Sequence, residues 1–256
     1  MAGAAIQCPK KKSQIDSDRK NNMHTQGKPS TEIQRFAVIH RLLHLVVMVG
    51  FTGLAITGLS IAYPANPVSR LVIWVLGGAA HTGGLHRFCA ALTYGCVFVH
   101  ALYFLYYRLV LGGRWTGPHS ILPAFKDIRD IRDHFAYFIG RKPSPPAFDR
   151  FTYMEKIDYW AVFIGMHTMG ITGLVLWFPE AVAQVLPGVV INIALILHRW
   201  EAILAVVVKV FIHVGLAHLR PSLYPADMTI FHGRMSHERL KHEHPGEWER
   251  LNSSGQ

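Results

Sequence analysis

The chain has 256 residues, of which half are hydrophobic and only 16% charged, and its mean hydropathy is +0.21. Soluble globular domains carry about a quarter charged residues, and three cysteines are too few for a disulfide scaffold, so composition excludes an ordinary soluble enzyme, a disordered tail and a disulfide-stapled module. The net charge of +10 would suit nucleic acid only if the basic residues covered a folded polar surface; here they collect in segments separated by long uncharged runs, the pattern of membrane topology.

Residues 1–35 carry seven Lys and Arg (Lys10, Lys11, Lys12, Arg19, Lys20, Lys28 and Arg35) and no apolar core of a targeting signal. They are read as a mobile basic arm able to touch anionic lipid. Residues 42–69 then contain no Asp, Glu, Lys or Arg, a run long enough for a crossing that takes about 20 apolar residues. Residues 71–80 are apolar but too short to span, and are placed as an interfacial or re-entrant helix. Uncharged runs at 88–107 and 159–179 supply further crossings. A fourth, 189–219, is less pure because Arg199, Glu201 and Lys209 lie in it; such groups belong near an interface or toward the bundle interior.

The expected fold is an all-α membrane protein, a four-transmembrane-helix bundle over residues 36–220 with spans near 36–63, 85–111, 154–178 and 189–219. Within the connection 112–152, the stretch 126–134 reads as a short amphipathic helix and 141–146 as a Pro-rich turn. The tail 221–256 is polar, a solvated segment by default and a docking or capping segment as the alternative. Seven basic residues in 1–35, seven in 112–152 and five after 219, against one in 64–85 and none in 180–192, put both termini in the cytoplasm by the positive-inside rule.

Sixteen histidines is many for this length, and His40, His44, His86, His100, His167, His198 and His213 fall in or at the spans. Imidazole in hydrocarbon needs a hydrogen-bond partner or a metal. His86 and His100 are 14 apart on the second span, and His198 and His213 are 15 apart on the fourth. At 100° and 1.5 Å per residue each pair returns to within about 40–60° of one face, roughly 21–22 Å apart along the helix. Both spans run outside to inside, so His86 and His198 share the outer depth, while His100 and His213, joined by His44 of the antiparallel first span, share the inner depth. Two layers of imidazoles facing a bundle core suit two stacked haems, each with two axial nitrogens. Zinc or copper transport is the competing chemistry, although such sites more often add carboxylates or Cys and Met clusters. Cys89 and Cys96 are read as packing residues, and no Cys-x-x-Cys-His is present to attach haem covalently.

Arg-Leu-Leu-His at 41–44, Ile-Thr-Gly-Leu at 56–59, Leu-His-Arg at 85–87, the stretch 149–160, Gly-Leu-Val-Leu-Trp-Phe-Pro at 173–179, His-Arg-Trp-Glu-Ala-Ile-Leu-Ala at 198–205 and the tail motifs at 232–238 and 243–245 together resemble the membrane-integral dihaem cytochrome b subunits of the formate dehydrogenase gamma and cytochrome b561-like superfamily. The similarity is greatest to the bacterial branch encoded with multihaem cytochromes c or iron–sulfur partners, and it covers nearly everything after residue 35. It implies an outer haem b held by His86 and His198 and an inner haem b held by His44 and His213. His100 is the alternative inner ligand, or else lies beside a quinone; His167 matches no ligand position and is a core or quinone-pocket residue.

Lys209 departs from the family pattern. One turn before His213, it falls on the haem-facing side, where an ammonium needs a partner such as a haem propionate or a shared water, or else loses its proton and is neutral; a charged Lys209 would favour reduced haem. His218 sits at the inner surface and reads as a solvated interface residue. The resemblance implies an electron-carrying subunit of a respiratory redox complex in the bacterial inner membrane, linking a periplasmic-side multihaem cytochrome c or iron–sulfur partner to menaquinone or ubiquinone. Candidate quinone-site residues are Tyr153, Glu155, Lys156, Asp158 and His167. The other readings are a membrane anchor with structural haem and a histidine-lined metal transporter.

Overall fold

The computed structural model describes residues 32–219, 223–224 and 226–253, apart from the side chains of residues 216 and 217. The basic arm up to residue 31 lies outside the described residues. The chain enters as a short strand, β1 (Glu32–Gln34), followed by the helices α1 (Val38–Ala62), α2 (Pro67–Val75), α3 (Ala79–Leu109), α4 (Phe125–Phe138), α5 (Tyr153–Trp177), α6 (Pro179–Val185) and α7 (Val189–Val207). Helix α7 runs without a break into a π-helical stretch, Val208–His218, and the chain ends in α8 (Thr229–His232), β2 (Arg234–Ser236), α9 (His237–Glu243) and α10 (Pro245–Ser253).

Helices α1, α3 and α5 are long and apolar enough to cross a membrane. Helix α7 with its π extension is interrupted by charge, and both cations meet a partner: Arg199 lies over the Tyr63 ring at 4.7 Å and donates to the Ala62 carbonyl at 3.4 Å, and Lys209 pairs with Asp158, while the Glu201 carboxylate lies beside Gly165 of α5. The short helix α2 starts earlier than the apolar run alone suggests, because Asn66 caps it by accepting from the Val68 amide and Pro67 occupies its first turn.

The bundle is built from two helix pairs, α1 on α3 and α5 on α7. Small residues set the first approach: a Cβ on Gly53 would lie 2.6 Å from the Cys89 Sγ, so the backbone of α1 closes onto α3 only where a side chain is missing. Cys89 and Cys96 are buried in α3 as free thiols, in keeping with a packing role.

Helix α4 is turned inside out relative to a soluble amphipathic helix. Asp127, Asp130 and His134 are buried, with Asp127 accepting from Lys156 at 2.9 and 3.0 Å and His134 Nδ1 3.0 Å from the Tyr153 hydroxyl. Phe125, Ile128, Phe135 and Phe138 face outward.

The tail is not a solvated strand of chain, and Arg35 does not belong to a mobile arm. Strand β1 pairs antiparallel with β2, Ile33 opposite Met235, and Arg35, 2% exposed, pairs with Glu247, itself 1% exposed. Arg150 binds the other Glu247 oxygen at 3.0 Å and donates to the Arg35 carbonyl at 2.6 Å, while His244 Nδ1 donates to the Asp149 carbonyl at 2.7 Å. Leu240, Met235 and Phe148 fill the small core beneath. The entry segment, the 148–150 connection and the tail thus form one cap, because two guanidinium groups and one carboxylate must share partners once water is excluded.

Burial and the neighbouring Arg35 push the His244 imidazole below its ordinary value. Burial would raise the Glu247 and Asp227 carboxyls, but Arg35 and Arg150 hold the former, and Arg239 and Thr229 the latter, below the usual carboxylate range. All three groups bind fewer protons folded than unfolded, so cap stability rises with pH. It is expected to be complete above about pH 7, to fall as His244 charges below about pH 6.5, and to fall further below about pH 4 as the carboxylates protonate. Hydrogen exchange of residues 226–253 between pH 7.5 and pH 4 checks the sign; a cap that tightens on acidification would contradict it.

Candidate functional site

His86 of α3 and His198 of α7 face each other across the bundle with ring centres 6.4 Å apart. Each ring is fixed by a threonine on the neighbouring helix of its own pair. Thr57 of α1 donates its only hydroxyl proton to the Gly53 carbonyl at 2.6 Å, so at 3.0 Å from His86 Nδ1 it acts as the acceptor. Thr172 of α5 repeats this with the Thr168 carbonyl at 2.7 Å and His198 Nδ1 at 2.9 Å. The proton is thereby held on Nδ1, and Nε2 keeps its lone pair for a ligand, the arrangement that metal-binding histidines use. The glycine after each threonine makes room: a Cβ on Gly58 would lie 3.0 Å from His86 Cε1, and one on Gly173 3.3 Å from His198 Cε1.

These cradles are one motif used twice, Ile-Thr-Gly-Leu at 56–59 and again at 171–174. The repeat is legible in the sequence, but it relates the first and third spans rather than the second and fourth, which carry the paired histidines.

At the other end of the bundle, His44 of α1, His213 and His218 place one ligand nitrogen each within 4.8 Å of one another. The His44 and His213 ring centres are 6.3 Å apart; His218 is 5.7 Å from the first and 5.0 Å from the second. His213 Nδ1 donates to Asp158 Oδ2 of α5 at 2.8 Å, and Lys209 pairs with Oδ1 of the same carboxylate. Lys209 therefore finds its partner within the chain, in a residue that sequence reasoning had placed among the quinone candidates.

His218 differs from the sequence expectation of a solvated residue. Residues five apart lie about 140° apart on an α-helix, but the π-helical stretch, with its i→i+5 bonding, brings His218 round to His213. Both of its ring nitrogens are buried without a hydrogen-bond partner.

The pairs fit a haem. A metal–nitrogen distance of about 2 Å and about 1.1 Å from nitrogen to ring centre would put the centres of two imidazoles that share one metal about 6.2 Å apart. His86–His198 at 6.4 Å and His44–His213 at 6.3 Å meet that span, whereas both separations involving His218 fall short of it. Nδ1 is hydrogen-bonded in three of the four rings, which leaves their Nε2 free.

His100 is placed differently. Its Nε2 is 3.0 Å from the Tyr159 hydroxyl, and its ring neighbours are His40 at 5.8 Å and Tyr159 at 6.0 Å; His40 in turn meets Tyr103 at 5.0 Å. Of the other candidates, Tyr153 and Lys156 turn toward α4, and Glu155 closes a capping box with Thr152 at the start of α5. His167 bonds the Phe163 carbonyl at 2.7 Å and packs against Tyr94 and Phe163.

Comparison with known proteins places the chain in a family. Residues 35–225 match the family model described as prokaryotic cytochrome b561. The chain is 24% identical over 218 residues to the nitrate-inducible formate dehydrogenase cytochrome b556(Fdn) subunit of Escherichia coli K12, covering 84% of this chain and 90% of that one. The subunit of the same name from Shigella flexneri matches to the same extent. With most of its length inside the family model and apolar helices of spanning length, the chain belongs to the prokaryotic cytochrome b561 family and is a membrane cytochrome b.

Proposed function

We propose that the chain is the dihaem cytochrome b subunit of a respiratory redox complex in the bacterial inner membrane, carrying electrons between an outer-face partner and the quinone pool. The observation that carries this is the pair of facing imidazoles at each end of the bundle, each spaced for one iron. His86 and His198 would hold the outer haem b, and His44 and His213 the inner one. When bound, haem supplies one-electron chemistry; the protein's part is to fix ligand tautomer and orientation, through Thr57 and Thr172 outside and Asp158 inside, and to surround the groups with low-polarity helix surface.

The fourth crossing is assigned to the continuous helix from Val189 to His218, whose two cations, Arg199 and Lys209, are partnered by Tyr63 and Asp158. Both termini are assigned to the cytoplasm, which places the basic segments and the cap on one side. The outer partner is proposed to be a multihaem cytochrome c or iron–sulfur subunit. The relatives' membership of a formate dehydrogenase supports a hetero-oligomeric complex.

Quinone reduction takes up two protons with two electrons, so its site needs protonatable groups near the inner haem. The His100–Tyr159 pair offers a donor and an acceptor at that depth. Of the candidates at the start of α5, Tyr153 and Lys156 engage α4, Glu155 caps the helix and Asp158 holds His213 and Lys209, which leaves His100 and Tyr159 to face the quinone, with His167 behind in the core. Anaerobic addition of menadiol to membranes holding the chain is expected to reduce the haems, with a rate at least tenfold lower in His100→Ala. Haem that dithionite reduces but menadiol does not would favour the anchor with structural haem. Absence of Soret absorption would favour the metal transporter.

A further inference from the structure

Resting on the dihaem reading, we propose that the Asp158–Lys209 ion pair is the element that sets the potential of the inner haem independently of the outer one. The two ends of the bundle hold their ligands by unlike means. Outside, both imidazoles donate to neutral hydroxyls, each already committed as a donor to a backbone carbonyl. Inside, His213 donates to a carboxylate.

A carboxylate acceptor draws the Nδ1 proton away and adds electron density to the ring, which makes the imidazole a stronger donor to iron and favours the ferric state. The other oxygen of that carboxylate is held by Lys209, one turn before His213 on the same helix. The ammonium withdraws density from the carboxylate and adds positive charge nearby, which favours the ferrous state. Asp158 thus lowers the inner potential, Lys209 raises it, and the balance between them fixes the value. Among the described residues neither outer imidazole is hydrogen-bonded to a charged group: Arg87 lies over the Trp177 ring at 5.3 Å, Arg199 over Tyr63, and the Glu201 carboxylate lies beside Gly165.

Asp158 and Lys209 are positioning residues, so the test reads potential rather than turnover. Purified full-length chain carrying Asp158→Asn, Lys209→Met or both is titrated potentiometrically at one pH, with the outer haem as internal reference. Asp158→Asn keeps an acceptor for His213 but removes the charge, and is expected to shift the inner ferrous-to-ferric ratio about tenfold toward ferrous, a rise of about 59 mV for one electron. Lys209→Met is expected to shift it about tenfold the other way. The double variant should return to within threefold of wild type, with the outer step unmoved throughout.

Shifts of the same sign, equal movement of both haems, or no movement would overturn the proposal. Haem loss in Asp158→Asn with retention in Asp158→Glu at an unchanged potential would overturn it too, since the carboxylate would then only hold the ring. A wild-type chain with fewer than two haems would remove the reading beneath it, an outcome told apart by haem counting before any titration.

Discussion

His198→Ala is expected to reduce the haem content from two per chain to one. In the proposed arrangement His198 would supply one of the two nitrogens that hold the outer haem, and His86 alone would hold it weakly. Both rings are positioned by buried threonines, Thr57 being 0% and Thr172 6% exposed. His86→Ala should give the same loss, and added imidazole should restore low-spin haem in both. At the inner site His218 lies close enough to replace His44, so the double variant His44→Ala/His218→Ala should also fall to one haem while His100→Ala keeps two. Retention of both haems in that double variant, with loss in His100→Ala, would move the inner ligand from α1 to α3.

Glu247→Ala should open the cap. Glu247 is the one carboxylate between Arg35 and Arg150, and its removal leaves the Arg35 guanidinium buried beside His244, 3.1 Å away. Breaking a buried pair by deleting one partner costs roughly 3–5 kcal/mol, about the scale of a small subdomain's whole stability. Proteolysis within residues 226–253 should therefore become fast in Glu247→Ala, while haem content and the spectrum of the bundle stay unchanged. A variant as resistant as wild type would mean that the apolar contacts of Leu240, Met235 and Phe148 hold the cap without the ions.

Much of this architecture is legible in the chain because bilayer physics writes itself as uncharged runs: α1, α3 and α5 follow from hydropathy and length. Histidine spacing likewise brings His86 and His198 to one layer and His44 and His213 to the other, since helical rise and rotation are fixed. Residues whose meaning depends on a distant partner stay hidden. Arg35 reads as one more basic residue of an arm until Glu247, far along the chain, encloses it. Asp158 reads as an interfacial charge until Lys209 and His213 approach from another helix. His218 moves to the ligand cluster because the last part of the helix is π-helical, a change of pitch that no local residue pattern announces. The outward-facing phenylalanines of α4 follow from Lys156 and Tyr153 claiming its polar face, again a tertiary matter.

The proposed function requires one chain to hold two haem groups. Its most direct test is a pyridine haemochrome assay with a dithionite-reduced minus oxidised spectrum of the purified protein, referred to protein concentration. Two b haems per chain, both low-spin and six-coordinate, is the predicted result; one haem or none would contradict it.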